Sequence, residues 1–171
     1  MKLIDSLRAE FDHEAQTTRK YFERLPDDKL DWRPHEKSFT VAGLAGHIVE
    51  FTGWTVPILN EDGIDFDPKT YQPYTPLSVA DLLNTFDDNV AKSKQALADA
   101  SEETIELPWS IKIMGSVIFE RPKATTFRDI ALSHVIHHRG QLSVYLRLLG
   151  VAVPGAYGPT ADEPEMEDIP Q

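Results

Sequence analysis

The sequence has no cysteine in its 171 residues. This excludes a disulfide framework and any thiolate supplied by the chain, so a metal site would have to be built from His, Asp or Glu. Positive charge is also scarce: 17 Lys and Arg stand against 28 Asp and Glu, a formal net charge of −11. Such a surface repels a polyphosphate backbone, whose binding rests on Lys and Arg displacing counterions. No basic stripe with interleaved aromatics offsets it, so nucleic acid is not an expected partner. No apolar run is long enough to span a bilayer, so a membrane is not an expected partner either. The opening MKLIDSLRAEFDHE carries acids early and lacks the apolar stretch of a signal peptide. The expectation from these absences is a cytoplasmic protein.

What is present fits one globular domain over residues 1–171. The chain is 41% hydrophobic and 26% charged and long enough to bury a core without staples. Four segments have helical spacing. In the first, roughly Lys2 to Leu25, the residues Leu3, Leu7, Phe11, Thr18, Phe22 and Leu25 share a face, and Pro26 ends it. The second is expected to start at Ser38 as N-cap and run to about Asn60, with a kink or early end at Pro57. A long loop rich in Pro and Asp follows. The third opens at Ser78, with Asp81 three residues on in a capping-box-like start, and ends near Ala100. Residues 104–122 read as two short strands around Met114-Gly115 or as an extended crossover. The fourth takes Thr126 as N-cap, runs to Leu149 and stops at Gly150. It is apolar nearly all round, which predicts burial on more than one side, at the centre of a bundle or against a partner subunit. The expected fold class is all-α: a four-helix bundle with long crossover connections and a possible β-hairpin between helices three and four. Residues 151–171 read as a mostly irregular, solvated acidic tail carrying Asp162, Glu163, Glu165, Glu167 and Asp168.

Histidine is concentrated in one place. His134, His137 and His138 fall within SHVIHHRGQL, inside the fourth helix. Residues four apart on a helix differ by a rotation of roughly 40 degrees and a rise of about 6 Å, so His134 and His138 project from one face. This spacing lets a helix give two nitrogens to one metal; His134 with His137 is the weaker alternative pair. His47 sits in the apolar seam of the second helix, between Leu44 and Phe51, where a hydrophobe is expected. A buried imidazole without a partner costs on the order of 1–3 kcal/mol, and either a metal or an ordinary core hydrogen bond would satisfy it. Three imidazoles leave coordination positions open, as in catalytic rather than closed structural sites. Around them, Glu50 reads as a surface ion pair or as an acceptor or base near the site, and Tyr145 as core packing or site lining. Arg139 reads as solvated or ion-paired, Gly140 as a point of close helix approach, and His13 and His35 as surface residues.

Three stretches carry a family resemblance: LDWRPHEKSFTVAGLAGHIVE (30–50), HVIHHRGQL (134–142) and LLGVAVPGAYGP (148–159). Together they resemble the DinB family, the DinB/YfiT-like metalloenzymes, over nearly the whole chain. The resemblance implies a four-helix bundle, commonly a homodimer, holding a divalent ion (nickel, zinc, manganese or iron) on three histidines, here His47, His134 and His138. It also implies chemistry with a low-molecular-weight thiol of the bacillithiol or mycothiol kind, acting on a small-molecule substrate. A metal-dependent S-transferase is the leading expectation. A metal-dependent hydrolase and a non-enzymatic, metal-binding stress-response bundle are the alternatives, and no catalytic residue is assigned.

Overall fold

The computed structural model describes residues 2–164; Glu165, Glu167 and Asp168 of the expected tail lie outside the described residues. Four long helical stretches form the bundle: α1 (Leu3–Phe22), α2 (Val41–Gly53), α4 (Val79–Asp99) and α7 (His134–Leu148). Helices α1 and α2 each pack on both α4 and α7, which sets α2 directly beside α7. The core between them is apolar, with Leu7, Phe22, Leu44, Ile48, Leu82, Phe86, Leu97 and Leu142 almost fully removed from water. No helix among the described residues is long and apolar enough to cross a membrane.

The helical pieces are more numerous than the expected four, and a sheet joins them. The second predicted helix is broken at Trp54, three residues before Pro57, into α2 and α3 (Thr55–Asn60). Pro57 is the third residue of α3, where its missing N–H falls among donors that have no intrahelical partner anyway. A short α5 (Glu102–Glu106) follows α4. The hairpin reading of 104–122 holds: β2 (Pro108–Ile113) and β3 (Ser116–Pro122) pair antiparallel. Met114 (φ 49°) and Gly115 (φ 81°) turn between them, the conformation that a two-residue hairpin loop requires. The predicted loop after the second helix contains β1 (Gly63–Phe66), which pairs parallel with β2. The two long connections therefore meet in one three-stranded sheet, in the order β1-β2-β3.

Helix starts differ where tertiary contacts set them. Thr40, not Ser38, caps α2, its Oγ1 accepting from the Gly43 N–H at 3.0 Å. The loop before it satisfies the next donors: Val41 N–H donates to Trp32 O (2.8 Å) and Ala42 N–H to Leu30 O (2.9 Å). At α4, Ser78 Oγ accepts from Asp81 N–H as the sequence predicts. The last helix begins not at Thr126 but at Lys123, immediately after Pro122, as α6 (Lys123–Thr126). Lys123 is buried and its Nζ donates to Leu59 O at 2.9 Å. Thr126 is thus inside the helix, buried, with no hydrogen-bond partner for Oγ1 among the described residues, while Asp129 pairs with Arg121. A π-helical stretch (Phe127–Ser133) then runs into α7, with His134 N–H donating five residues back to Asp129 O. At the far end the Gly150 N–H donates to Arg147 O and the Val151 N–H to Leu146 O, the paired bonds of a Schellman stop.

For Arg139 the ion-pair alternative holds, and for Gly140 the sequence reading changes. Arg139 is not solvated: its side chain is 2% exposed and bonds the carboxylate of Glu14 on α1 at 2.7 Å. It also donates to Thr18 Oγ1 (3.1 Å) and Tyr157 OH (2.7 Å). Gly140 faces open space, with nothing within 4 Å of where a Cβ would stand, so it makes no close helix contact among the described residues. Residues 151–164 have no regular structure but dock on the bundle: Tyr21 OH donates to Pro154 O, Asp162 pairs with Arg147, and Glu163 with Arg24. Removing one partner of a buried ion pair strands the other charge and costs about 3–5 kcal/mol. Arg139→Ala is therefore expected to lower unfolding stability by about that amount in urea titration; a loss under about 1 kcal/mol, the range of an exposed pair, would contradict this role.

Candidate metal centre

The three histidines singled out from the sequence meet between α2 and α7. His47 comes from the middle of α2; His134 and His138 come from the first two turns of α7, on one face as their spacing requires. His47 Nε2 lies 3.0 Å from His134 Nε2, and His138 Nε2 lies 3.0 Å from the same atom. All three donor nitrogens fall within 4.8 Å of one another, and the three residues are half-buried. Among the described residues, this is the group of His, Asp or Glu able to hold a metal.

Aromatic rings line the triad. Phe51 stacks on His134 with centroids 4.0 Å apart and planes 13° apart, and Trp54 stacks on Phe51 at 5.1 Å. Phe39, half-exposed, stacks on His47 at 5.5 Å. These rings withdraw the imidazoles from water and disfavour their charged forms. Burial, then the neighbouring His138 and His134, push His47 down to about 4. Burial also lowers His134, with His138 and His137 adding to the effect. His138 is lowered by burial too, against the opposing effect of its hydrogen bond to Gln141 Oε1. All three rings are therefore neutral near pH 7, the form that binds a metal.

The donor set fits a transition metal. Nitrogens coordinated tetrahedrally at about 2.0–2.1 Å would lie roughly 3.3 Å apart, close to the 3.0 Å separations here. An all-imidazole set suits zinc, copper, iron or nickel better than calcium or magnesium. Three ring nitrogens pointing at one place are satisfied either by a ring N–H shared among them or by a cation.

The neighbouring residues fall into place differently from the sequence reading. Among the described residues Glu50 makes no ion pair; it accepts from Tyr71 OH (2.8 Å) and Tyr74 N–H (3.1 Å), and so straps the loop after β1 onto α2. Burial, and next the hydrogen bond to Glu50, push the Tyr71 hydroxyl up to about 12, so it remains a donor. The same loop crosses Gly46, where a Cβ would stand 2.2 Å from Tyr74 O; only glycine allows that approach beside His47. Tyr145 is core packing: it is buried, meets Trp32 edge-on at 5.6 Å and donates to Phe39 O. His13 and His35 are exposed, as predicted. His137 is exposed and stands outside the triad, its Nε2 3.0 Å from Gln141 Nε2. Gln141 itself, 2.8 Å from His138 Nδ1, was given no role by sequence reasoning. Its position three residues after a ligand-spaced histidine was the available signal.

A mostly helical bundle with a small sheet and a half-buried three-histidine centre is a recognisable class. The DinB family model matches residues 2–170, and the chain belongs to the DinB family. Among curated proteins it is similar to YrdA of Bacillus subtilis (strain 168), 24% identical over 167 residues, covering 94% of this chain and 91% of that protein. It is also similar to YjoA of the same organism, 26% identical over 137 residues, covering 78% of this chain and 82% of that one. Among solved structures, a DinB-like protein from Bacillus cereus ATCC 10987 superposes with a TM-score of 0.69 at 21% identity, over 90% of this chain and 97% of its own. The Bacillus subtilis YjoA structure gives 0.70 at 20% identity, over 88% and 96%. The two structures share the fold.

The lowered histidines predict an acid response of the metal-free protein. Above about pH 6.5 the rings are neutral in both folded and unfolded chains, and their contribution to stability is fully present. As pH falls from there toward about 4, the unfolded chain takes up protons that folded His47 refuses, so stability is lost. In chelator-treated protein, the urea midpoint should fall less steeply over this window for His47→Phe than for the wild type. Parallel slopes would contradict the burial of the triad.

Proposed function

We propose that this protein binds one divalent transition metal through Nε2 of His47, His134 and His138 and uses it in an enzymatic reaction with a low-molecular-weight thiol. The observation that carries the reading is the convergence of three neutral imidazole nitrogens within 4.8 Å, half-buried between two core helices. Three protein ligands leave a coordination position open, which separates a reactive site from a closed structural one. When bound, the cation supplies positive charge that favours thiolate over thiol.

The absence of cysteine is consistent with sulfur arriving on a small molecule. The reaction class is carbon–sulfur bond formation between that thiol and an electrophilic small molecule, with the thiol proton and the electrophile's leaving group released. The chain's contribution is to hold the site and keep it dry: Phe51 and Trp54 cover one side of His134, and Phe39 covers His47. Half-exposed Phe39 is placed to meet an incoming substrate. Zinc, nickel, manganese and iron are the candidate ions, with imidazole chemistry favouring zinc, nickel and iron.

A homodimer belongs to the same proposal. Val144 and Leu148 on α7 are 55% and 59% exposed, four residues apart and in line with Gly140, which faces open space. This apolar stripe is the surface a second α7 would cover. The acidic surface, net charge −11, argues against nucleic acid as substrate.

Elemental analysis tests the metal reading. Gently purified protein, or protein supplied with zinc, nickel and manganese, should carry about one metal per chain, and His138→Ala prepared alongside should carry little. Absence of metal from the wild type under both conditions would remove the reading.

A further inference from the structure

One contact at the centre is used neither by the fold nor by the coordination just described. Gln141 lies on the exposed side of α7, three residues after His138 and four after His137, the two spacings that place side chains side by side on a helix. Its Oε1 is 2.8 Å from His138 Nδ1, and its Nε2 is 3.0 Å from His137 Nε2. Exposed amides usually bond water, yet this one is held between two rings.

The orientation of the amide, with Oε1 toward His138 and Nε2 toward His137, sets the direction of both hydrogen bonds. An amide oxygen only accepts and an amide NH2 only donates. His138 Nδ1 therefore carries its hydrogen and donates it to Gln141 Oε1. The lone pair of His138 is then on Nε2, facing His134 Nε2 at 3.0 Å. Gln141 Nε2 donates in turn to the lone pair on His137 Nε2. A reversed amide would place NH2 against His138 Nδ1 and drive the proton to Nε2, into the centre. Neither His47 nor His134 has an acceptor at its outer ring nitrogen among the hydrogen bonds of the described residues. His138 is thus the member of the triad whose tautomer the protein sets in advance.

We infer that Gln141 is a positioning residue for the metal centre: it fixes His138 in the Nδ1–H tautomer and aims its Nε2 lone pair at the ion, with His137 holding the amide in register. The inference rests on the metal-binding reading above. Outer partners of this kind orient the ring and raise its basicity, and losing one weakens metal binding about 10–100-fold. A carboxylate at the same position would accept the same hydrogen and add negative charge behind the ligand, so Gln141→Glu should bind as tightly as the wild type or more tightly.

Two measurements on the full-length protein decide it. The first is zinc affinity, by chelator competition, for the wild type, Gln141→Leu and Gln141→Glu. Gln141→Leu is expected to weaken zinc binding about 10–100-fold, with Gln141→Glu restoring it. The second is the tautomer of His138 in the metal-free protein, read from long-range proton–nitrogen NMR couplings. The Nδ1–H form should dominate in the wild type and give way to a mixture in Gln141→Leu. Gln141 is exposed, so its replacement should leave the circular dichroism unchanged. An affinity for Gln141→Leu within twofold of the wild type, or a wild-type His138 protonated on Nε2, would overturn the inference while leaving the metal reading intact. A wild type that binds no zinc would instead remove the metal reading, and the NMR result would still decide whether Gln141 sets the tautomer.

Discussion

Three imidazole nitrogens that face one another at 3.0 Å are satisfied by a ring N–H shared among them or by a cation bound to their lone pairs. In water such an arrangement relaxes by solvation. Here it is fixed between α2 and α7, with Phe39, Phe51 and Trp54 replacing solvent around the rings. Burial keeps the rings neutral near pH 7, the form in which imidazole can bind a transition metal. The same feature that makes the metal-free centre unfavourable to protonate makes it ready for a cation.

Much of the surrounding structure holds those two helices in place. Behind His138, the next residue along α7 is Arg139, which turns into the core and locks α7 to α1 through Glu14 and Thr18. Tyr157, from the segment after Gly150, closes over the same guanidinium. On the other side, Tyr74 O lies against Gly46, and Glu50 ties the loop after β1 to α2. The ligand-bearing faces are thus backed by polar contacts that fix position more than they add net stability, since a buried ion pair roughly offsets its own desolvation. A π-helical stretch precedes His134; such stretches rotate the residues after them relative to those before and often occur at functional sites. Before it, Lys123 faces the core and bonds Leu59 O of α3, and after it His134 and His138 face His47 of α2.

Sequence periodicity made the helices and the triad legible because both depend on local spacing. The interval between His134 and His138 is a property of the helix itself, and a histidine in the apolar seam at His47 is visible as an exception to the pattern. The strand Gly63–Phe66 was not legible: its four residues are held by pairing with β2, more than forty residues away. The starts of α2 and the last helix were misplaced because Ser38, Thr40 and Thr126 are comparable caps locally. The choice is made by distant carbonyls, those of Trp32, Leu30 and Leu59. Arg139 read as solvated or ion-paired, and spacing alone could not name its partner because Glu14 is on another helix. Gln141 was in plain view within the motif, but its role depends on which ring nitrogen it meets, and spacing alone does not give that.

The central claim is that one cation sits on three imidazole nitrogens. X-ray absorption at the metal edge of the loaded protein tests it most directly. The account predicts a first shell containing three imidazole nitrogens at about 2.0–2.1 Å for zinc, with the outer-ring scattering of imidazole, and loss of one such ligand in His47→Phe. A first shell of oxygens alone, or one unchanged by that substitution, would contradict it.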